Sequence, residues 1–143
     1  MQRYRLSLSI QGRGNMYPTD RRYSRDHEWA KNENDSTILV GVTYYAQEHL
    51  GDIVFLDLPN VGANLNQFQK LGEVESVKSV SDIFSPISGE VLAVNQLVID
   101  SPEIVNEDPY DQGWLVLVKP SQPDEMDDLM VASDYESFLE SLD

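Results

Sequence analysis

Cysteine is absent from the 143 residues. That absence excludes disulfides, thiolate metal sites and a thiol nucleophile, so any redox chemistry must come from a group added to the chain. Missing too is an apolar run long enough to cross a bilayer, since the longest, TILVGV, IVFL and GWLVLV, are strand-sized. No membrane partner is expected. Basic residues are scarce: ten Lys and Arg stand against 25 Asp and Glu, a formal charge of −15. Six of the ten (Arg3, Arg5, Arg13, Arg21, Arg22 and Arg25) precede residue 26, leaving Lys31, Lys70, Lys78 and Lys119 for the rest. So acidic a body repels phosphate backbones and anionic lipid, which argues against nucleic-acid and membrane-surface roles and favours protein partners with basic patches. Any single carboxylate on it is, as a rule, a solubility device.

What is present fits one domain, because 41% apolar residues in a 16.2 kDa chain can bury a real core. Residues 1–15, MQRYRLSLSIQGRGN, read apart from it, with three Arg, two Ser, two Gly and no acid. They are expected to be a disordered N-terminal extension: either a targeting segment or sequence ahead of a start at Met16, the second favoured because MYPTDRRYSRDHEW already reads as a beginning. Residues 16–143 then form a single domain, expected to be a monomer, in which seven basic residues face 25 acidic ones.

Along that domain the apolar runs are short and separated by Gly, Pro, Asn and Asp, the pattern of a mainly β sandwich or barrel. Strands are expected over 37–42, 52–58, 71–76, 79–84, 89–95 and 113–119, with LPNVGANLN and SPISGE as turns. TYYAQEHLG reads as a short helix with Thr43 as N-cap and Gly51 just past its end. The tail reads as helical, with Pro123 at a first helical position and a capping box of Ser133 and Glu136. Tyr135, Phe138, Leu139 and Leu142 recur at the spacing of one packing face. GDIV at 51–54 echoes GEVL at 89–92, each opening a strand.

GEVESVKSVSD, residues 72–82, holds one lysine. At strand period Val74, Ser76 and Lys78 share a face, and if SVKS is a bend, Lys78 stands at its tip. That bend has none of the Gly, Asn, Asp or Pro that turns usually recruit. Two readings follow: a lysine blunting an edge strand, or a lysine displayed for chemistry. Self-activation as a Schiff-base nucleophile is disfavoured, because Glu75 and Asp82 favour the protonated amine. Acylation by a dedicated enzyme fits better, placing a long swinging group at the tip of a rigid hairpin.

From about Tyr23 to Leu139 the chain resembles the glycine cleavage system H proteins, which carry lipoate on a lysine. The resemblance runs through SRDHEW (24–29), GVTYYAQEHLGDIVFLDLP (41–59), VESVKSVSDIFSPISGEVLAVN (74–95), SPEIVNEDPYDQGWL (101–115) and YESFL in the tail. Asp111-Gln112 before Gly113, and FQKLGEV ahead of the lysine, depart from the family pattern without touching the lysine motif. Biotin carriers usually flank their lysine with methionines, whereas Val77 and Ser79 stand here. Lipoyl domains of 2-oxoacid dehydrogenases are typically shorter and lack HEW, NEDPY and the helical tail.

The resemblance implies a hybrid barrel-sandwich of the lipoyl/biotinyl type, with a short internal helix and C-terminal helices. Lys78 would carry covalent lipoate, with Glu75, Ser76 and Val77 presenting it to a lipoyl-attaching enzyme. The chain would be a carrier and not itself an enzyme. Its implied partners are glycine decarboxylase, a pyridoxal-phosphate (PLP) enzyme, an aminomethyltransferase that uses tetrahydrofolate, and dihydrolipoyl dehydrogenase. The sulfur chemistry would belong to the cofactor, in keeping with a cysteine-free chain. A relay that hands lipoate to other enzymes would need the same lysine. The expected compartment is the bacterial cytoplasm, with the mitochondrial matrix as alternative. His27 and His49 lack metal-ligand spacing, so no metal is expected. By resemblance Glu28 and His49 line a cleft where the loaded arm docks; the competing reading is a surface Glu and a His packed at a helix end. Trp29 and Trp114 read as core and rim packing.

Overall fold

The computed structural model describes residues 16–142. The expectation for residues 1–15 lies outside the described residues. Within them, strands β1 (Arg22–Tyr23), β2 (Glu28–Asn32) and β3 (Ile38–Val42) lead into helix α1 (Tyr44–Leu50). β4 (Ile53–Asp57), β5 (Asn64–Leu65), β6 (Lys70–Ser76), β7 (Val80–Phe84) and β8 (Gly89–Val94) follow. Helices α2 (Gln96–Asp100) and α3 (Glu103–Glu107), strand β9 (Val116–Pro120), a 3-10 turn (Pro123–Asp128) and helix α4 (Ala132–Glu140) complete the chain. The strands form a six-stranded sheet in the order β1-β2-β3-β9-β8-β5 and a three-stranded sheet in the order β4-β6-β7, antiparallel throughout.

The two sheets close on each other as a sandwich because their apolar residues face inward at strand period. Ala30, Val40, Val91, Val116 and Val118 of the large sheet meet Ile53, Leu56, Leu71, Val74 and Ile83 of the small one. Each valine, leucine or isoleucine among them contributes on the order of 1.5–3 kcal/mol on burial. A second cluster lies on the other face of the large sheet, where Trp29, Tyr23 and Tyr135 pack under α4. Tyr23 and Tyr135 stack at 4.8 Å between ring centroids. Trp29 is fully buried; its indole N–H donates to the Val42 and Pro109 carbonyls and its ring lies so close to Gly41 that a Cβ there would sit 2.5 Å away. Trp114 is half-buried against the same cluster, so both tryptophans pack as expected.

The strands read over 37–42, 52–58, 71–76, 79–84 and 89–95 correspond to β3, β4, β6, β7 and β8. Helix α1 has Thr43 as its cap, accepting from the Ala46 N–H, and Gly51 just past its end at φ 80°. Three readings need correction. The strand expected from 113 starts at Val116, because Gly113 and Trp114 are held in a turn by bonds from their N–H groups to Asp108 and Asp111. Ser133 and Glu136 form no capping box: α4 begins at Ala132 with Val131 as cap residue, since Met130 bonds to Tyr23 and fixes the helix entry there. Leu142 lies past the helix end and is exposed, leaving Tyr135, Phe138 and Leu139 as the packing face. Pro123 does open a helical turn, but of 3-10 type. β1, β2, β5, α2 and α3 carried no period to read, the helices being five residues each.

Candidate functional site

Hairpin β6-β7 ends at Ser76 and resumes at Val80, with Glu75 opposite Val80. A serine closes the turn between them. Ser76 Oγ accepts from the N–H groups of Lys78 (3.1 Å) and Ser79 (3.2 Å), while Ser76 N–H donates to the Ser79 carbonyl at 2.8 Å. This accounts for a bend without Gly, Asn, Asp or Pro: the hydroxyl supplies the local hydrogen bonds those residues otherwise bring. Ser76 and Val74 are buried toward the core, whereas Lys78 has left the strand and is exposed, so the expected common face ends at Ser76.

The tip is seated on the corner between α1 and β4. Val77 N–H donates to the Asp52 carbonyl at 3.0 Å. The stem of Lys78 crosses Gly51, where an added Cβ would lie 2.9 Å from Lys78 Cε. No carboxylate within the described residues pairs with the Lys78 ammonium. Lys70, by contrast, is held by Glu73 at 2.6 Å and Asp82 at 3.4 Å. Across the outer face of the small sheet, Phe55, Glu75 and Val80 stand in one cross-strand row, with Val77 beside them at 67% exposure.

His49 lies in the last turn of α1, two residues before Gly51, and so at the Lys78 end. It is exposed; its Nδ1 is 3.1 Å from the Tyr45 carbonyl and its ring stacks on Tyr45 at 3.9 Å. Tyr45 in turn covers His27 at 4.5 Å. His27 Nδ1 is 2.8 Å from Tyr135 Oη, which lies 2.9 Å from Thr43 Oγ1. Burial lowers the His27 pKa and so favours the neutral ring, whose tautomer sets whether Nδ1 accepts from or donates to the Tyr135 hydroxyl. Within the described residues no three or more His, Asp or Glu are grouped to hold a metal.

Glu28 is elsewhere. It pairs with Val42 in β2-β3, next to the α1 cap, and is only 2% exposed. Its Oε1 accepts from Ser24 Oγ at 2.6 Å and its Oε2 from the Phe84 N–H at 3.1 Å. β7 is an outer strand, and Glu28 satisfies the last N–H of that strand. Burial pushes the carboxyl up to about 8, against the pull of those two hydrogen bonds. Helix α1 and strand β7 thus both run from the Lys78 end to the Glu28 end. Seven helical residues and four strand steps give a separation of roughly 10–13 Å. His49 and Lys78 share one end of this span and Glu28 closes the other.

One residue of the corner went unread. Asn106, in α3, bonds to Gln47, Gly51 and Ile53. Its only signal in the sequence is a place in NEDPY.

The model of the glycine cleavage H-protein family matches residues 21–142, which include every residue of this site. The chain belongs to the glycine cleavage H-protein family. It is 47% identical over 123 residues to the glycine cleavage system H protein of Anaeromyxobacter sp. (strain K), covering 86% of this chain and 95% of that one. Against the H protein of Cronobacter sakazakii the figures are 50% over 123 residues, with the same coverage. A crystal structure of an H protein from Mycobacterium marinum superposes with a TM-score of 0.76 at 40% identity, covering 84% of this chain and 96% of that one. Members of this family are lipoyl carriers of the glycine cleavage system and not catalysts. As an H protein, the chain needs a lysine from which a long arm can swing. Lys78 is exposed, has no ion pair within the described residues, and stands on a turn closed by backbone groups and Ser76.

Proposed function

We propose that Lys78 holds lipoate in amide linkage and that the protein shuttles the loaded arm from glycine decarboxylase to the aminomethyltransferase, with dihydrolipoyl dehydrogenase closing the cycle. The observation that carries this reading is the setting of Lys78: an amine with no ion-pair partner within the described residues, at a hairpin tip that is fixed at its base and open at its end. When bound, lipoate supplies a disulfide that accepts the aminomethyl group from glycine and returns as a dithiol for reoxidation. The chain's own residues do the rest. The tip projects the arm, and tethering raises its local concentration at each partner in turn.

Between visits, the span from Lys78 past His49 to Glu28 shelters the arm. The lysyl stem, the amide and the lipoyl chain together reach a distance comparable to that span. A cationic amine arriving at Glu28 meets a carboxyl already aligned by Ser24 and Phe84, gives it reason to ionise, and is kept from water. His49 and Tyr45 form the wall beside the lysine. The protein works as a monomer in a bacterial cytoplasm; the bacterial setting is supported by bacterial relatives of similar length.

Recognition by the lipoyl-attaching enzyme falls to the outer row. Glu75 is exposed between Phe55 and Val80 and buries little apolar area. Ser76 and Val77 act there through the shape of the tip. Glu75→Ala is expected to raise the KM of lipoyl attachment about tenfold, equivalent to ~1.4 kcal/mol, and to leave Tm within a degree or so. Attachment at the wild-type rate, together with a large fall in Tm, would return Glu75 to a structural role. Transfer of lipoate to the apo protein by a lipoate ligase, followed by glycine-dependent ammonia release with the three partner enzymes, tests the whole reading. Attachment without any glycine-dependent turnover would contradict the shuttle.

A further inference from the structure

The seat of the lysine is itself held by a side chain from another part of the fold. Asn106 uses its whole amide on the α1-β4 corner. Its Nδ2 donates to the Gly51 carbonyl at 2.9 Å and to Gln47 Oε1 at 3.1 Å, and its Oδ1 accepts the Ile53 N–H at 2.9 Å. Residues 51 and 53 are thereby fixed from α3, and residue 52 between them gives the carbonyl that receives Val77 N–H. Gly51 gives the surface on which the Lys78 stem rests. Among the described residues no side chain of residues 51–53 makes these bonds, so the conformation that meets the tip depends on a residue 28 positions beyond the lysine, at Asn106.

We propose that Asn106 is a positioning residue for the modified lysine: it fixes the Gly51–Ile53 corner, and the corner fixes the direction in which Lys78 leaves the tip. The proposal rests on the reading of Lys78 as the lipoyl attachment point. Its physical basis is preorganisation. A tip already docked at Val77 presents one lysine geometry to the attaching enzyme, whereas a loose tip must be ordered during the encounter. Glycine at 51 is favoured by its φ of 80°, where any side chain would be strained; a Cβ there would also displace the flexible Lys78 stem, whose Cε would lie 2.9 Å away.

Asn106→Asp is the sharpest substitution, because it keeps shape and the acceptor for Ile53 but replaces the donor to Gly51 and Gln47 with an oxygen. Gln47 can turn its own amide to donate to that oxygen; the Gly51 carbonyl cannot. The corner is expected to loosen at Gly51 while the sandwich core, which Asn106 does not enter, is retained.

The experiment uses apo protein and has two readouts. Amide hydrogen exchange at Val77 reports docking of the tip and needs no cofactor. The kinetics of lipoate attachment by a lipoate ligase report presentation of Lys78. In wild type, Val77 is expected to exchange at least about 100-fold more slowly than an unstructured amide, from its bond to Asp52. In Asn106→Asp its exchange should rise about tenfold or more while core amides of β3 and β9 keep their protection, and kcat/KM for attachment should fall about fivefold to tenfold. Rapid exchange of Val77 in wild type, a measurement that needs no variant to fold, would overturn the seat. Slow Val77 exchange and unchanged attachment in Asn106→Asp would overturn the positioning role. If core amides lose protection in step with Val77, Asn106 is a fold residue and the proposal fails. Were Lys78 not the attachment point, wild-type protein would take no lipoate there while Val77 exchange still read the corner, so the two failures are separable.

Discussion

Lys78→Arg is expected to abolish glycine cleavage and leave the fold unchanged. Arginine keeps the charge and similar bulk but cannot form the amide with lipoate. Nothing in the tip depends on the lysine side chain: the turn is closed by Ser76 and backbone groups, the seat by Val77 N–H, and the Lys78 ammonium has no ion pair within the described residues. Tm should therefore move by no more than a degree or so, as for other exposed substitutions within about 0.5 kcal/mol. Activity, measured as glycine-dependent ammonia release with the three partner enzymes, should fall to the level without the protein. Lys70→Arg and Lys119→Arg should remain active. A Lys78→Arg protein that still turns over would remove the arm from this residue.

Glu28→Gln is expected to change both the pH dependence of stability and the lifetime of the loaded arm. The carboxyl ionises near its ordinary 4.5 in the unfolded chain but at about 8 in the folded one, because burial disfavours its charge. Below pH 4.5 it is protonated in both states and its contribution is fully present. Between 4.5 and about 8 the unfolded chain loses a proton that the folded chain keeps, so this contribution falls by roughly 1.4 kcal/mol per pH unit as pH rises through that window. Glutamine can accept from Phe84 N–H without the charge. The difference in unfolding free energy between Glu28→Gln and wild type should thus shift in favour of the variant from pH 5 to pH 8. A constant difference would mean that Glu28 is not kept protonated by the fold. For the arm, Glu28→Gln combined with His49→Ala should leave attachment intact yet speed ammonia release in the absence of tetrahydrofolate about tenfold, the equivalent of one charge-assisted hydrogen bond. Unchanged release would assign both residues to packing.

What could be read from the sequence depended on whether a residue's role is local. β3, β4, β6, β7 and β8 were legible because their residues alternate or run apolar between turn residues, and α1 because Thr43 and Gly51 punctuate it. β2 was not, since Glu28, Trp29 and Ala30 are all buried: one face meets the sandwich core and the other the α4 cluster, which erases alternation. The α4 capping box failed because a tertiary bond, Met130 to Tyr23, sets where the helix starts. At the site, the oddity of Lys78 was visible in its own segment. The turn chemistry of Ser76 was half visible, as a missing glycine. Asn106 was invisible, because its three bonds reach residues 53 to 59 positions away and no local pattern records them.

The most direct measurement of the central claim is the intact mass of the protein isolated from its native host, followed by peptide mapping. A mass increase equal to one lipoyl group in amide linkage, confined to the peptide that carries Lys78, is the predicted result. Lipoate found on Lys70 or Lys119, or a protein from actively glycine-cleaving cells that carries no lipoyl group at all, would contradict it.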